Sequence, residues 1–258
     1  MSFNRPVPAR IPSAAFWKIT GNEARLALRQ PRGLILGLVL PLGLLMVMGG
    51  SAKFREPLAA LGGLTRFDLY VPILLCFAVA AIALLSMPSP LATYREQGVL
   101  RRLSTTPVPP AWVLAAQFAL NLCLVVVALG LLTLISTTVF GYAAHVALGA
   151  FLLTALLSIC AMFAVGTLIG AIAPSGGASY VIGALAFFAL MFFAGLWLPR
   201  ASMSPTLADI SNYTPLGASV QAFQTTLGGG VPPAWQLLVL AGYALVFAIL
   251  SVRLFRWD

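Results

Sequence analysis

The chain has 258 residues, 60 % of them hydrophobic and 8 % charged, with 15 Lys and Arg against 6 Asp and Glu and a mean hydropathy of +0.99. Soluble domains hold about 45–50 % apolar and about 25 % charged residues, so the composition excludes an ordinary soluble enzyme and points to an all-α integral membrane protein. The net charge of +9 does not mark a nucleic-acid binder, because the basic residues are scattered between apolar blocks and build no continuous basic face.

The chain opens on a leader that holds six Lys and Arg before the first apolar run, which is not the pattern of a cleavable signal peptide. Within it, residues 13–30 read as a helix entered after Pro12 and stopped by Pro31. Lys18, Asn22, Arg25 and Arg29 make one polar stripe, while Phe16, Ile19, Leu26 and Ala27 lie away from it. Such a helix suits the headgroup layer, with Lys18, Arg25 and Arg29 on the membrane surface.

Six apolar stretches follow, near 33–52, 69–92, 111–138, 146–173, 178–199 and 234–252, none containing Asp, Glu, Lys or Arg. Each approaches the roughly 20 residues needed to cross the hydrocarbon, and backbone in that layer must satisfy itself, so helices are expected. The boundary at Ala173-Pro174-Ser175-Gly176-Gly177 reads either as a tight turn or as a break in one long element. Between the last two spans, Thr214-Pro215 is a helix start and Gly228-Gly229-Gly230 a stop. Residues 214–227 are therefore expected to form an outer interfacial or partly re-entrant helix with Leu216, Val220, Phe223 and Leu227 in one stripe. Gly33/Gly37 and Gly166/Gly170 are GxxxG pairs, read here as ordinary tolerance of glycine in packed helices.

Basic residues set the orientation. With the N-terminus inside, the inner segments hold eleven Lys and Arg and the outer loops hold four, Lys53, Arg55, Arg66 and Arg200. Both termini are thus expected in the cytoplasm, and the interfacial positions of Trp112, Trp197 and Trp235 agree.

Several chemistries are missing. No GxxxxGK[ST] phosphate loop and no GxSxG elbow occur, and the single histidine, His145, falls in a loop. Cys76, Cys123 and Cys160 form neither a CxxC nor a Cys/His pattern, so no metal site and no disulfide framework is indicated. All six carboxylates lie outside the expected spans, so no proton or sodium relay is built there. Gln117, Asn121, Thr133, Thr154, Ser158 and Thr167 lie inside the spans and are expected to bond between helices. The chain reads as a non-catalytic membrane subunit whose energy source lies elsewhere.

One cluster stands apart. Residues 93–106 place Arg95, Glu96, Arg101 and Arg102 between two spans and end at Pro107, Pro109 and Pro110. Read as a helix, the segment puts Glu96, Val99, Leu100 and Leu103 on one face. Glu96 has no basic residue three or four positions away, so a pair within the helix is not its purpose. The shape fits docking onto a cytoplasmic protein.

Tyr94-Arg95-Glu96-Gln97-Gly98-Val99-Leu100-Arg101-Arg102-Leu103 with Thr106-Pro107-Val108 resembles the signature of the ABC type-2 exporter permeases. Asn212-Tyr213-Thr214-Pro215-Leu216 resembles the family's stretch before the last span, and the likeness covers nearly the whole chain as a single domain, 1–258. Val99 stands where the family commonly has Thr or Ser. The resemblance implies six transmembrane helices, a connecting helix at 13–30 and a coupling helix at 93–106. It implies a second permease copy or homologue and two separate ATPase subunits, which hold ATP and Mg. It assigns Arg95, Glu96, Gly98 and Arg101 to the ATPase contact, and Val99, Leu100 and Leu103 are added from the apolar face. The cargo expected is an amphiphilic or hydrophobic drug or antibiotic-like compound leaving through the cytoplasmic membrane. A lipid or polysaccharide exporter, or a non-transporting scaffold or sensor, are the rival readings.

Overall fold

The computed structural model describes residue 21 and residues 32–58, 63–98, 110–142 and 144–254. The expected leader helix, with Lys18, Arg25 and Arg29, lies outside the described residues. Among those described, the architecture is all helical, with one isolated bridge between Pro57 and Thr65. We label the helices α1 (32–50), α2 (Ala52–Arg55), α3 (Arg66–Glu96), α4 (Pro110–Thr138), α5 (Leu148–Ile172), α6 (Gly176–Phe193), α7 (Pro205–Tyr213), α8 (Pro215–Leu227) and α9 (Ala234–Leu254). Five of them, the later part of α4 included, are long and apolar enough to cross a membrane: α3, α4, α5, α6 and α9. The apolar part of α1, Ile35–Gly50, is shorter.

The bundle is built around α3. Across its most apolar stretch 83 % of the residues are buried, against 11 % in α9, which makes α3 the axis and α9 a peripheral helix. Phe67 at its start packs on Phe140 and Tyr142, so one end of the bundle is marked by Phe140 and the other by Glu96. Helix α1 runs antiparallel to α3, with Gly33 beside Ser86, Gly37 beside Ile82 and Gly49 beside Phe140. Helix α9 lies along α5 in the same direction, and Ser251 donates to the Ala164 carbonyl at 3.3 Å.

Both α1 and α3 widen into a π-helical turn, at Ile35–Val39 and Ile82–Ser86. The cause lies in the sequence. Each turn is followed by a proline, Pro41 or Pro88, which brings no N–H to the carbonyl four residues earlier. The helix accommodates this with longer bonds, such as Met87 N–H to the Ile82 carbonyl at 3.1 Å.

Three helices close on the wide turn of α3. A methyl group added to Gly166 of α5 would lie 2.0 Å from the Ala83 carbonyl oxygen, and one on Gly183 of α6 would lie 2.0 Å from that of Leu84. From α1, a methyl group on Gly37 would lie 2.2 Å from the Ile82 side chain. The Gly166/Gly170 pair therefore marks a true backbone approach, which corrects the expectation of ordinary tolerance there, whereas Gly33 and Gly37 meet side chains. Because lipid tails are as apolar as leucine, such close packing, and not transfer from water, holds the helices together.

The segment 173–175 is a turn: α5 ends at Ile172 and α6 starts at Gly176 with Ser175 accepting the Ala178 N–H at 3.1 Å. Helix α6 stops at Phe193, earlier than the apolar run suggests, because Gly195 takes φ +90 and Leu198-Pro199 follows. Helices α7 and α8 then form a hairpin that dips into the bundle from the Phe140 end. The Thr226 carbonyl accepts the Ala147 N–H at 3.0 Å near the start of α5, whereas Ser219 meets Ser158, ten residues or about 15 Å farther along α5.

Helix α8 is enclosed on nearly all sides. Leu216 and Phe223 are fully buried, Leu227 and Val220 nearly so, and Ala218, Ala222, Ser219 and Thr226 are buried as well. A one-sided interfacial seat is not what the structure shows, because the face opposite the apolar stripe carries small and hydroxyl residues that pack inward too. Among the intramembrane polar residues, Ser158 bonds across helices to Ser219 at 2.8 Å. Asn121 and Thr167 instead bond carbonyls of their own helices, Gln117 and Phe163.

Candidate functional site

Helix α3 carries the sequence cluster out of the bundle core. Its last segment, Pro88–Glu96, continues directly from the buried axis, so residues 93–96 are its final turn and not the start of a separate helix. Gly98 stops it with φ +63, a left-handed conformation that glycine enters without a Cβ clash. Its N–H bonds the Arg95 carbonyl at 3.0 Å. Val99, Leu100, Arg101 and Leu103 lie outside the described residues.

Arg95 and Glu96 turn toward the α5–α6 junction. The Arg95 guanidinium donates to the carbonyls of Ala171 and Ala173, at the C-terminal end of α5. The Glu96 carboxylate accepts the Gly176 N–H at 3.1 Å, at the N-terminal end of α6. These backbone groups are the ones a helix leaves without internal partners. A cation suits the negative end of a helix dipole and an anion the positive end, so each charge meets the terminus of matching polarity.

Two neutral contacts tighten the joint. The Ser89 hydroxyl donates to the Gly176 carbonyl at 3.0 Å, and a methyl group on Gly176 would stand 2.0 Å from the Thr93 hydroxyl oxygen. The turn 173–175 has no charged residue of its own. It depends on α3 for both charges.

Glu96 is exposed in the single chain and holds a backbone donor of that chain, the Gly176 N–H. Sequence reasoning missed Gly176, Ala171 and Ala173, which are 76 to 80 residues away. The available signal was the uncharged turn: one C-terminal and one N-terminal helix end side by side require one cation and one anion, and Arg95-Glu96 supplies them adjacently.

A second polar cluster stands at the Phe140 end. Arg200 donates to Asn212 Oδ1 at 2.5 Å and to Ser211 Oγ at 3.3 Å, Gln221 donates to the same Asn212 oxygen at 2.9 Å, and Ser211 donates to the Phe193 carbonyl at 2.7 Å. It ties the end of α6 to both helices of the hairpin. Burial lowers the Arg200 pKa, partly offset by the charge of Asp209. Nearby in the fold, burial and the Asp68 charge push Tyr142 up to about 12. Among the described residues no His, Cys, Asp and Glu group is placed to hold a metal ion.

Comparison with known proteins gives the site its frame. A family model described as ABC-2 type transporter matches residues 14–227, a range that contains α1 to α8 and the Arg95-Glu96 joint. No curated protein matches the chain. The chain therefore belongs to the ABC-2 type transporter family and is a multi-pass membrane protein.

Proposed function

We propose that the chain is the permease subunit of an ATP-driven exporter that moves an amphiphilic or hydrophobic compound across the cytoplasmic membrane. The observation that carries this reading is the position of the family signature on the continuation of α3, the most enclosed helix of the bundle. Force applied to the segment after Gly98 acts directly on the bundle axis. The chain has no phosphate-binding loop of its own, so two copies of a separate ATPase hold ATP and Mg and dock on residues 97–109. Leu100, Arg101 and Leu103 fall in that range.

In this reading α1 is a sixth crossing, since its helix is continuous over 32–50 and ends beside Phe140. The Glu96 end then faces the cytoplasm together with both termini, and a second permease copy or homologue completes the pathway. Phe187 packs edge-on against Phe77 and Phe188 stacks on Trp197.

Affinity purification of the tagged permease in mild detergent tests the proposal. An ATP-binding subunit should copurify, and its hydrolysis should be stimulated by particular amphiphilic compounds. A permease that purifies folded with no ATP-binding partner would support a scaffold instead.

A further inference from the structure

Resting on that reading, we infer that Arg95 and Glu96 are positioning residues that act inside the permease: they carry displacement of the segment that follows them to α5 and α6, and do not themselves grip the ATPase. Four observations converge on this role. Arg95 holds the last carbonyls of α5, and Glu96 holds the first N–H of α6. Ser89 adds a second bond to Gly176, and Thr93 fits against the same glycine too closely for any side chain. A turn of three residues, 173–175, joins the two helices. Charge-assisted bonds to both sides of so short a turn leave it little freedom to lag behind α3.

The contacts continue to the opposite end. Helix α6 runs 18 residues from Gly176 to Phe193, and the Phe193 carbonyl accepts the Ser211 hydroxyl of α7. Ser211 and Asn212 receive Arg200, and Asn212 also receives Gln221 of α8. A shift of Gly176 thus reaches the α7–α8 hairpin through one helix with a polar joint at each end. This chain of contacts supplies a mechanical reason for adjacent opposite charges in the cluster.

The joint can be tested in the permease alone and in its complex. Native cysteines are first replaced, and spin labels are placed on the exposed Gln97 and Gly177 for one distance and on Gly177 and Ala115 of α4 for another. In the isolated permease, Arg95→Ala/Glu96→Gln should broaden the Gln97–Gly177 distribution and speed hydrogen exchange at residues 176–178. An unchanged distribution and unchanged exchange would overturn the inference before any nucleotide is added.

In the complex with the ATP-binding subunit, ATP, Mg and vanadate should shift the Gly177–Ala115 distance in the wild type. The double variant should reduce that shift by at least about fivefold, the low end of ordinary coupling between sites, while the subunit still copurifies. Equal shifts in both proteins would overturn the inference and leave the exporter reading intact. No shift in the wild type would remove the exporter reading and this inference with it. Gly176→Ala provides an independent check, since its methyl group enters the Thr93 hydroxyl: it should reduce the shift, and Thr93→Ala/Gly176→Ala should restore it. Failure of the second change to restore a folded Gly176→Ala protein would count against the joint.

Discussion

Gly183 of α6 and Leu84 of α3 meet so closely that a methyl group on the glycine would lie 2.0 Å from the leucine carbonyl oxygen. The α-helical donor to that carbonyl would be the nitrogen of Pro88, which carries no hydrogen. The wide turn ahead of Pro88 thus offers an oxygen that a neighbouring glycine Cα–H approaches, a weak but recurring contact between helices.

Gly183→Ala and Gly166→Ala should therefore each destabilise the bundle by about 1–3 kcal/mol, the usual range for overpacking. The obstructing atoms are backbone and cannot rotate aside. Gly43→Ala is the control, because nothing lies within 4 Å of its added methyl. There alanine should stabilise by about 0.5–1 kcal/mol through helix propensity. Thermal unfolding in detergent gives the order, and a Gly183→Ala protein as stable as Gly43→Ala would contradict the packing described.

The Ser158–Ser219 pair leads to an asymmetric expectation. Ser219 donates its proton to the Pro215 carbonyl at 2.8 Å, so Ser158 is the donor in the 2.8 Å bond between the two hydroxyls. Ser158→Ala leaves Ser219 its own acceptor and should cost about 0.5–1.5 kcal/mol. Ser219→Ala strands the buried Ser158 hydroxyl and should cost about 1–3 kcal/mol. Unfolding of the two variants side by side checks the ranking.

The helices themselves were legible in the sequence, because uninterrupted apolar runs between charged loops allow little else. The wide turns were not, although Pro41 and Pro88 were visible: a proline shows that a bond is lost but not how the helix absorbs the loss. The enclosure of α8 was half legible, since Leu216, Val220, Phe223 and Leu227 form a stripe but Ser219 and Thr226 look like a solvated face until Ser158 stands opposite. Arg95 and Glu96 were found as a pair. Their contacts were missed because they reach across 76 to 80 residues to backbone groups, which leave no mark in side-chain pattern.

Tyr142 should titrate late. Burial and the nearby Asp68 hold its phenol protonated to about 12, against an ordinary value of 10.0. A folded pKa above the unfolded one contributes stability that is complete below pH 10.0 and is lost as pH rises toward 12. Tyr142→Phe should remove the late component from the phenolate absorbance titration and flatten the alkaline loss of stability. Loss of a component near 10.0, with the late component kept, would contradict the raised pKa of Tyr142.

Topology is open to direct labelling. After replacement of the native cysteines, Arg102→Cys and Ser202→Cys should react with an impermeant maleimide from opposite sides, Ser202→Cys from outside in intact cells. Ser202 is exposed, so labelling of Ser202→Cys only after the membrane is opened would count against the orientation. Labelling of both from outside would contradict the orientation proposed.

An ATP-binding subunit is proposed to engage the segment that follows Arg95-Glu96. A photo-activatable benzophenone residue at Leu100, and a control at Trp197, which is 55 % exposed at the opposite end, should be irradiated in membranes containing the copurifying subunit. A covalent adduct is expected between Leu100 and an ATP-binding protein, and none from Trp197. No adduct from Leu100, or equal adducts from both positions, would contradict it.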